Sequence, residues 1–200
     1  MDKAKPIIVL AVIAAFISTL VIVVYNITYV DTSNEVTDKQ ADALVAIYGG
    51  SKEDYEVIPV DEWRAALMFS SDNTIGENIE KVFRKKDGSL AIECVVKGYK
   101  KGFDIMVGVD DGAVAGVAIV SVGEETPGLG TKTNDATWLG NFKGISGSAE
   151  IVKTAPSSDN QVQAVTSATY SSRGVATAVN SALKAYGLLS VLGGEAQRAI

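Results

Sequence analysis

The chain opens on an unbroken apolar run, Pro6 to Tyr25, reading PIIVLAVIAAFISTLVIVVY, whose only polar members are Ser18 and Thr19. It has about the twenty residues that a helix needs to cross hydrocarbon, and it shows no amphipathic stripe. A cleaved signal peptide is the competing reading. The run is longer than a typical apolar signal core, and Tyr25-Asn26-Ile27-Thr28-Tyr29 follows it instead of a small-x-small cleavage site. A retained transmembrane helix is therefore expected.

Beyond a polar link at 31–36 the pattern changes. Thr37 to Tyr48 reads as a helix, with Thr37 as its cap, Leu44, Val45 and Tyr48 as apolar contacts and Gly49-Gly50 as its end. Residues 51–78 mix Pro59, Trp63, Met68 and Phe69 with polar stretches such as Ser70-Ser71-Asp72-Asn73 and give no clear period. The middle of the chain is β. Val82–Lys86 and Leu90–Val96 flank Asp87-Gly88, a hairpin signal, and Leu90, Ile92, Cys94 and Val96 alternate with Ala91, Glu93, Val95 and Lys97 to give one apolar face. Phe103–Val109 and Val114–Val122 form a second hairpin across Asp110-Asp111-Gly112. A short helix at Ala136–Phe142, a strand at Ser148–Lys153 and a final helix from about Ser171 to Leu189 complete the reading. The fold class is α+β: one N-terminal transmembrane helix, then an antiparallel sheet with packed helices. The expected divisions are 1–30 for a cytoplasmic stub and the membrane helix, 31–53 for a link and helix, and 54–200 for an extracytoplasmic domain.

Charge gives the orientation. Lys3, Lys5 and the terminal amine precede the apolar run, and the first charges after it are Asp31 and Glu35, so the N-terminus is expected in the cytoplasm and the rest outside. Sixteen of the 18 basic and 23 of the 24 acidic residues follow the run, leaving that part with seven more acids than bases. Such a surface is unsuited to nucleic acid or to anionic lipid. The 200 residues include no histidine and one cysteine, Cys94. This excludes histidine-based nucleophile systems, histidine-ligated metal or haem, an internal disulfide and cysteine-ligated clusters. Redox chemistry on this chain needs an organic cofactor. Cys94, on the apolar strand face, is expected as a buried small hydrophobe.

Two segments carry candidate chemistry. The first is Glu125-Thr126-Pro127-Gly128-Leu129-Gly130-Thr131-Lys132, whose glycines permit close approach of a ligand; taken alone it also reads as an ordinary turn. It is neither a Walker A loop nor a dinucleotide fingerprint. The second is Thr166-Ser167-Ala168-Thr169-Tyr170-Ser171-Ser172 before the last helix, where hydroxyls and helix N–H groups suit an anion, and where simple capping by Ser171 or Ser172 is the plainer account.

Together these segments resemble the FMN-binding family that includes the G-subunit of the Rnf electron-transport complex and the C-subunit of the sodium-translocating NADH:quinone reductase. The resemblance is carried by Gly98-Tyr99, Val107-Gly108-Val109-Asp110, Glu125 to Lys132 and Gln163 to Ser172. The last is similar to the family's flavinylation motif, Asp-x-x-Ser/Thr-Gly-Ala-Thr, whose final threonine holds FMN by a phosphoester; here that residue is Thr169. Gln163 stands where the family often has Asp, and Ser167 where it usually has Gly. The short chain and single anchor look more like the Rnf member of the family.

The resemblance implies a covalent FMN on Thr169, with Thr166, Ser167 and Ala168 at the phosphate and ribityl chain. It places Glu125, Thr126, Leu129, Gly130 and Thr131 beside the isoalloxazine ring. Lys153 is either a positive charge near the flavin or a solvated strand-edge lysine. The implied partners are the other membrane proteins of an Rnf-type complex, an ion-translocating ferredoxin:NAD oxidoreductase, and a flavin transferase for maturation. The chain would pass electrons and turn over no substrate alone. The alternatives are a membrane-anchored extracellular binding or sensor module without flavin, and a flavin domain of another membrane redox system.

Overall fold

The computed structural model describes residues 5–28, 34–68 and 75–198. The chain divides into two compact units, 1–33 and 34–200. In the first, helix α1 spans Lys5–Thr28. Its segment Ile7–Tyr25 has a mean hydropathy of 3.2 and buries none of its length, so it is long and apolar enough to cross a membrane. The flanking Lys3 and Asp31 and the polar stretch Phe69 to Asn73 lie outside the described residues.

The second unit is built on a five-stranded antiparallel sheet in sequence order: β1 (Tyr55–Ile58), β2 (Ile79–Lys85), β3 (Leu90–Val96), β4 (Phe103–Asp110) and β5 (Ala113–Ser121). Both predicted hairpins are present. Val82 pairs with Ile92 and Phe83 with Ala91 across the first. In the second, Asp110 pairs with Ala113. The two residues between them, Asp111 (φ 47°) and Gly112 (φ 76°), both adopt the left-handed region that a two-residue hairpin turn demands.

One expectation about β3 is corrected. Ala91 and Glu93, assigned to a polar face, are as buried as Ile92 and Cys94. The cause is a second helix layer. On one face Ile92, Cys94 and Val107 pack with Val175, Val179 and Ala182 of the long helix α5 (Thr169–Arg198). On the other, Ala91, Phe83 and Met106 pack with Ala43 and Leu44 of α2 (Asp38–Tyr48). The sheet is therefore covered on both sides, and alternation on β3 separates two cores instead of core from solvent.

Helix α2 starts as predicted. Thr37 and Gln40 form a reciprocal capping box, and Gly49 closes the helix with its N–H on the Val45 carbonyl at 2.8 Å. Val45, expected inside, points outward at 38% exposure, while Ala43 and Leu44 pack on the sheet. Close approach is possible because β4 and β5 present Gly108 and Gly116. A Cβ on Gly108 would stand 2.5 Å from Ile47 Cγ2 and 2.9 Å from the Tyr48 hydroxyl. That hydroxyl donates to the carbonyls of Leu90 (2.8 Å) and Val109 (3.1 Å), and burial pushes its pKa well up.

The indistinct segment after α2 contains β1 and a short helix α3 (Val60–Leu67), which buries Trp63 completely. After β5 come a 3-10 turn at Gly130–Thr133 and helix α4 (Ala136–Gly140), capped by Asp135 on the Trp138 N–H at 2.8 Å. Then β6 (Glu150–Val152) and β7 (Gln161–Gln163) pair in parallel as a separate two-stranded sheet, an arrangement not predicted. Cys94 is fully buried as expected, its thiol 3.7 Å from the Ala178 carbonyl and its pKa pushed up by burial.

Candidate functional site

Helix α5 begins at Thr169, two residues before the expected start. Thr169 thus sits in the first helical turn, half-buried, with Ala168 buried behind it and Thr166 and Ser167 in front, both exposed. The turn is held from within: the Ala168 N–H donates to the Val165 carbonyl at 2.9 Å. The Ser172 hydroxyl donates to the Ala168 carbonyl at 3.0 Å and accepts from the Val165 N–H at 3.0 Å. Ser167 has φ 66°, left-handed backbone that favours glycine. This is the position where the resemblance expects Gly, and the backbone supplies the physical reason.

Ser171, on the same first turn, is buried and does not cap the helix. Its hydroxyl donates to Oε2 of Glu125 at 2.5 Å. The second oxygen of Glu125 accepts from the Lys100 N–H at 2.9 Å. The carboxylate is buried at 4% exposure, and both oxygens are engaged. Space for it comes from glycines: a Cβ on Gly98 would lie 2.5 Å from Oε1, and one on Gly130 would collide with Oε2. Gly174, one turn into α5, lets that helix approach so closely that a Cβ there would lie 3.1 Å from the Gly98 Cα. Glu125 therefore clasps three separate segments: 98–100, 125–130 and the start of α5.

The rest of the glycine-rich loop is ordered by its own hydrogen bonds. Gly128 (φ 74°) donates its N–H to the Thr131 hydroxyl at 2.9 Å, and Thr133 donates its hydroxyl to the Gly130 carbonyl at 2.7 Å. Thr126 and Thr131 are half-buried, Gly130 is buried, and Leu129 stands 43% exposed. The structure brings Glu125, Gly130 and the Thr169–Ser171 turn together. Lys153 is exposed just past β6 and joins the motif only through its backbone: its carbonyl accepts from Gln163 Nε2 at 3.5 Å, beside the Val152–Gln163 pair.

A groove of about 790 Å³ runs beside the motif, lined among others by Thr131, Asp135, Trp138, Gln163 and Thr166. Trp138 fixes one wall, its indole N–H donating to the Gln163 carbonyl at 2.8 Å and its ring standing edge-on to Phe142 at 5.3 Å. Sequence reasoning did not single out Trp138; a tryptophan in a short helix after a glycine-rich loop was its only signal. Among the described residues no group of acids or cysteines is arranged to hold a metal ion.

The site fits a phosphoester-linked cofactor on chemical grounds. A partly accessible threonine hydroxyl lies at a helix start, where the first N–H groups lack intrahelical partners and the helix dipole favours an anion. Two further hydroxyl side chains, Thr166 and Ser167, precede it in the same turn.

Three curated relatives are similar. One is the G-subunit of the Na(+)-translocating ferredoxin:NAD(+) oxidoreductase complex of Acetobacterium woodii, 28% identical over 145 residues, 68% of this chain and 69% of that one. The second is the G-subunit of the proton-translocating ferredoxin:NAD(+) oxidoreductase complex of Clostridium ljungdahlii, 34% identical over 119 residues, 54% of this chain and 64% of that one. The third is the G-subunit of the ion-translocating oxidoreductase complex of Aliivibrio fischeri, 28% identical over 207 residues, 91% of this chain and 89% of that one. Among solved structures, the C-subunit of the Na(+)-translocating NADH-quinone reductase from Parabacteroides distasonis covers 79% of this chain and 94% of its own, at 19% identity and a TM-score of 0.49. Residues 98–184, which contain the whole Glu125 clasp and Thr169, match the FMN-binding domain.

Proposed function

We propose that this chain is the flavin-bearing electron carrier of a membrane-bound, ion-translocating ferredoxin:NAD oxidoreductase of the Rnf type, with FMN attached by a phosphoester to Thr169. The observation that carries the reading is the match of residues 98–184 to the FMN-binding domain, with Thr169 on the first turn of α5 inside it. The three G-subunit relatives supply the complex. When bound, FMN supplies the reversible electron acceptance that a chain with no histidine and one buried cysteine lacks.

The chain's own residues bind and orient. Thr169 offers the acceptor oxygen, Thr166 and Ser167 present hydroxyls to the phosphate and ribityl chain, and Ala168 packs the turn from behind. Thr126, Leu129, Gly130 and Thr131 border the ring, while Glu125 holds that loop against α5 from beneath. Lys153 contributes long-range positive charge. The Thr169 hydroxyl oxygen would hold FMN through its phosphate as a phosphoester. A flavin transferase makes this bond, and the exposed side chain of Gln163 lies on the surface that enzyme must read. Helix α1 anchors the chain, its N-terminus in the cytoplasm and residues 34–200 outside, and the other proteins of the complex are its electron partners.

The test is intact-mass measurement of the full chain produced with an active flavin transferase. The expected result is an added FMN less one water, located on the peptide that contains Thr169 and ends at Arg173. Thr169→Val should leave the fold unchanged and remove all covalent flavin. Flavin retained in that variant refutes the assignment of Thr169, and an unmodified parent beside a labelled control substrate refutes the flavin reading in favour of a binding module.

A further inference from the structure

The loops clasped by Glu125 share one surface feature. Among the described residues of the 34–200 unit, the exposed large apolar side chains are Val45, Met68, Val95, Tyr99, Leu129 and Tyr170. Three of these six stand on the three clasped segments: Tyr99 beside Gly98, Leu129 beside Gly130, and Tyr170 between Thr169 and Ser171. Tyr99 and Tyr170 are 58% and 65% exposed, and their rings meet at 6.4 Å between centroids with a 58° tilt. Lys100 Nζ lies 5.8 Å from the centre of the Tyr99 ring. An exposed, rigidly mounted aromatic pair next to an acceptor threonine is surface that gains by being covered, and a flat π-system is the shape that covers it.

We propose that Tyr99 and Tyr170 form an aromatic platform on which the isoalloxazine ring rests when FMN is attached to Thr169; this rests on the flavin reading above. Tyr170 follows the acceptor directly, so a ribityl chain leaving Thr169 passes its ring. Tyr99 extends the platform away from the helix, and Leu129 borders it. Lys100 brings a positive charge to the platform's edge, on the side of an electron-rich ring. The competing location is the groove along Trp138, but that indole is half-buried and committed to the Gln163 carbonyl and to Phe142.

A flavin ring in contact with tyrosine loses its fluorescence by electron transfer from the phenol, whereas phenylalanine stacks equally well and does not quench. The experiment takes the full chain in detergent with attachment verified by mass, and compares flavin emission per attached flavin in the parent, Tyr99→Phe, Tyr170→Phe, the double variant and Trp138→Phe. Expected are unchanged attachment in both tyrosine variants, a several-fold rise in emission in each, a larger rise in the double variant, and little change in Trp138→Phe. Unchanged emission in the double variant with flavin in place overturns the platform and leaves the flavin reading standing. A rise confined to Trp138→Phe overturns it too and moves the ring to the groove. Loss of attachment in the Phe variants makes the phenol hydroxyls part of attachment and also overturns stacking. A parent without covalent flavin overturns both readings together.

Discussion

Ser167 is where local backbone and motif chemistry meet. A left-handed conformation costs an L-residue roughly 1–2 kcal/mol, and glycine avoids that cost while losing about 0.5–1 kcal/mol of chain entropy. Ser167 (φ 66°) accepts the strain in the turn that presents Thr169. Ser167→Gly is therefore expected to raise the stability of residues 34–200 by up to about 1 kcal/mol, read as a shift in the urea midpoint at constant slope. A fall in stability would mean that the serine side chain makes a compensating contact. The neighbouring Glu125 shows the same locality from the other side. From its place in the sequence it is a loop acid available to a ligand, yet its oxygens are taken by Ser171 and Lys100. Only two glycines distant in sequence but adjacent in space, Gly98 and Gly130, leave room for it there.

Among the elements, α2 and the sheet bury carboxyl groups that make stability depend on pH. Gln40 of α2 donates its amide to both carboxylate oxygens of Glu93, at 3.0 and 2.7 Å. Glu93 is buried, and Asp104 on the next strand has a buried oxygen without a hydrogen-bond partner. Burial raises the pKa of both; for Asp104, burial and the charge of Glu93 push it up to about 7. Glu80 acts in the same direction on both groups, while Lys81 opposes the shift at Glu93 and Lys39 at Asp104. Between the ordinary carboxylate range and about pH 7 the folded chain thus holds a proton that the unfolded chain has released, so stability falls as pH rises through that window. The urea midpoint of residues 34–200 should be lower at about pH 8 than at about pH 5. Asp104→Asn should flatten the difference and match or exceed the parent at the higher pH. A slope that persists in that variant would rule out Asp104 as its source.

The same elements show what a linear reading can and cannot reach. The hairpins were legible because Asp-Gly turns and strict alternation are local signals, and α2 was legible from its cap and its terminal glycines. The second core was not, because burial of Ala91 and Glu93 depends on α2 returning over β4 and β5 at Gly108 and Gly116. The parallel β6–β7 pair was missed because three-residue strands carry no period, and the region around Trp63 because β1 and α3 are each too short to show one. At the site, the motif pointed to Thr169 as the proposed acceptor, while the clasp beneath it and the tyrosines beside it depend on contacts between distant segments.

For the whole molecule, the remaining consequence is topological. Among the described residues one span, Ile7–Tyr25, is available to set on which side of the membrane the FMN-binding unit folds. Lys3 and Lys5 precede the span, and the residues after it carry seven more acids than bases, so the positive-inside rule predicts a cytoplasmic N-terminus. The molecule allows a clean test, because its one native thiol, Cys94, is fully buried and held as the neutral thiol by burial, which leaves it silent to alkylation. A cysteine placed at the exposed position Asp159 (Asp159→Cys) would be the only reactive thiol in the folded chain. A membrane-impermeant maleimide added to intact cells, or to spheroplasts where an outer membrane is present, should label that variant and leave the parent unlabelled. Labelling only after lysis would place residues 34–200 in the cytoplasm. It would require the electron partners and the flavin transferase to act there, and it would leave the charge asymmetry around α1 without its expected effect. Labelling of intact cells would place residues 34–200 on the outer side, where the phosphoester proposed above would keep the cofactor from diffusing away.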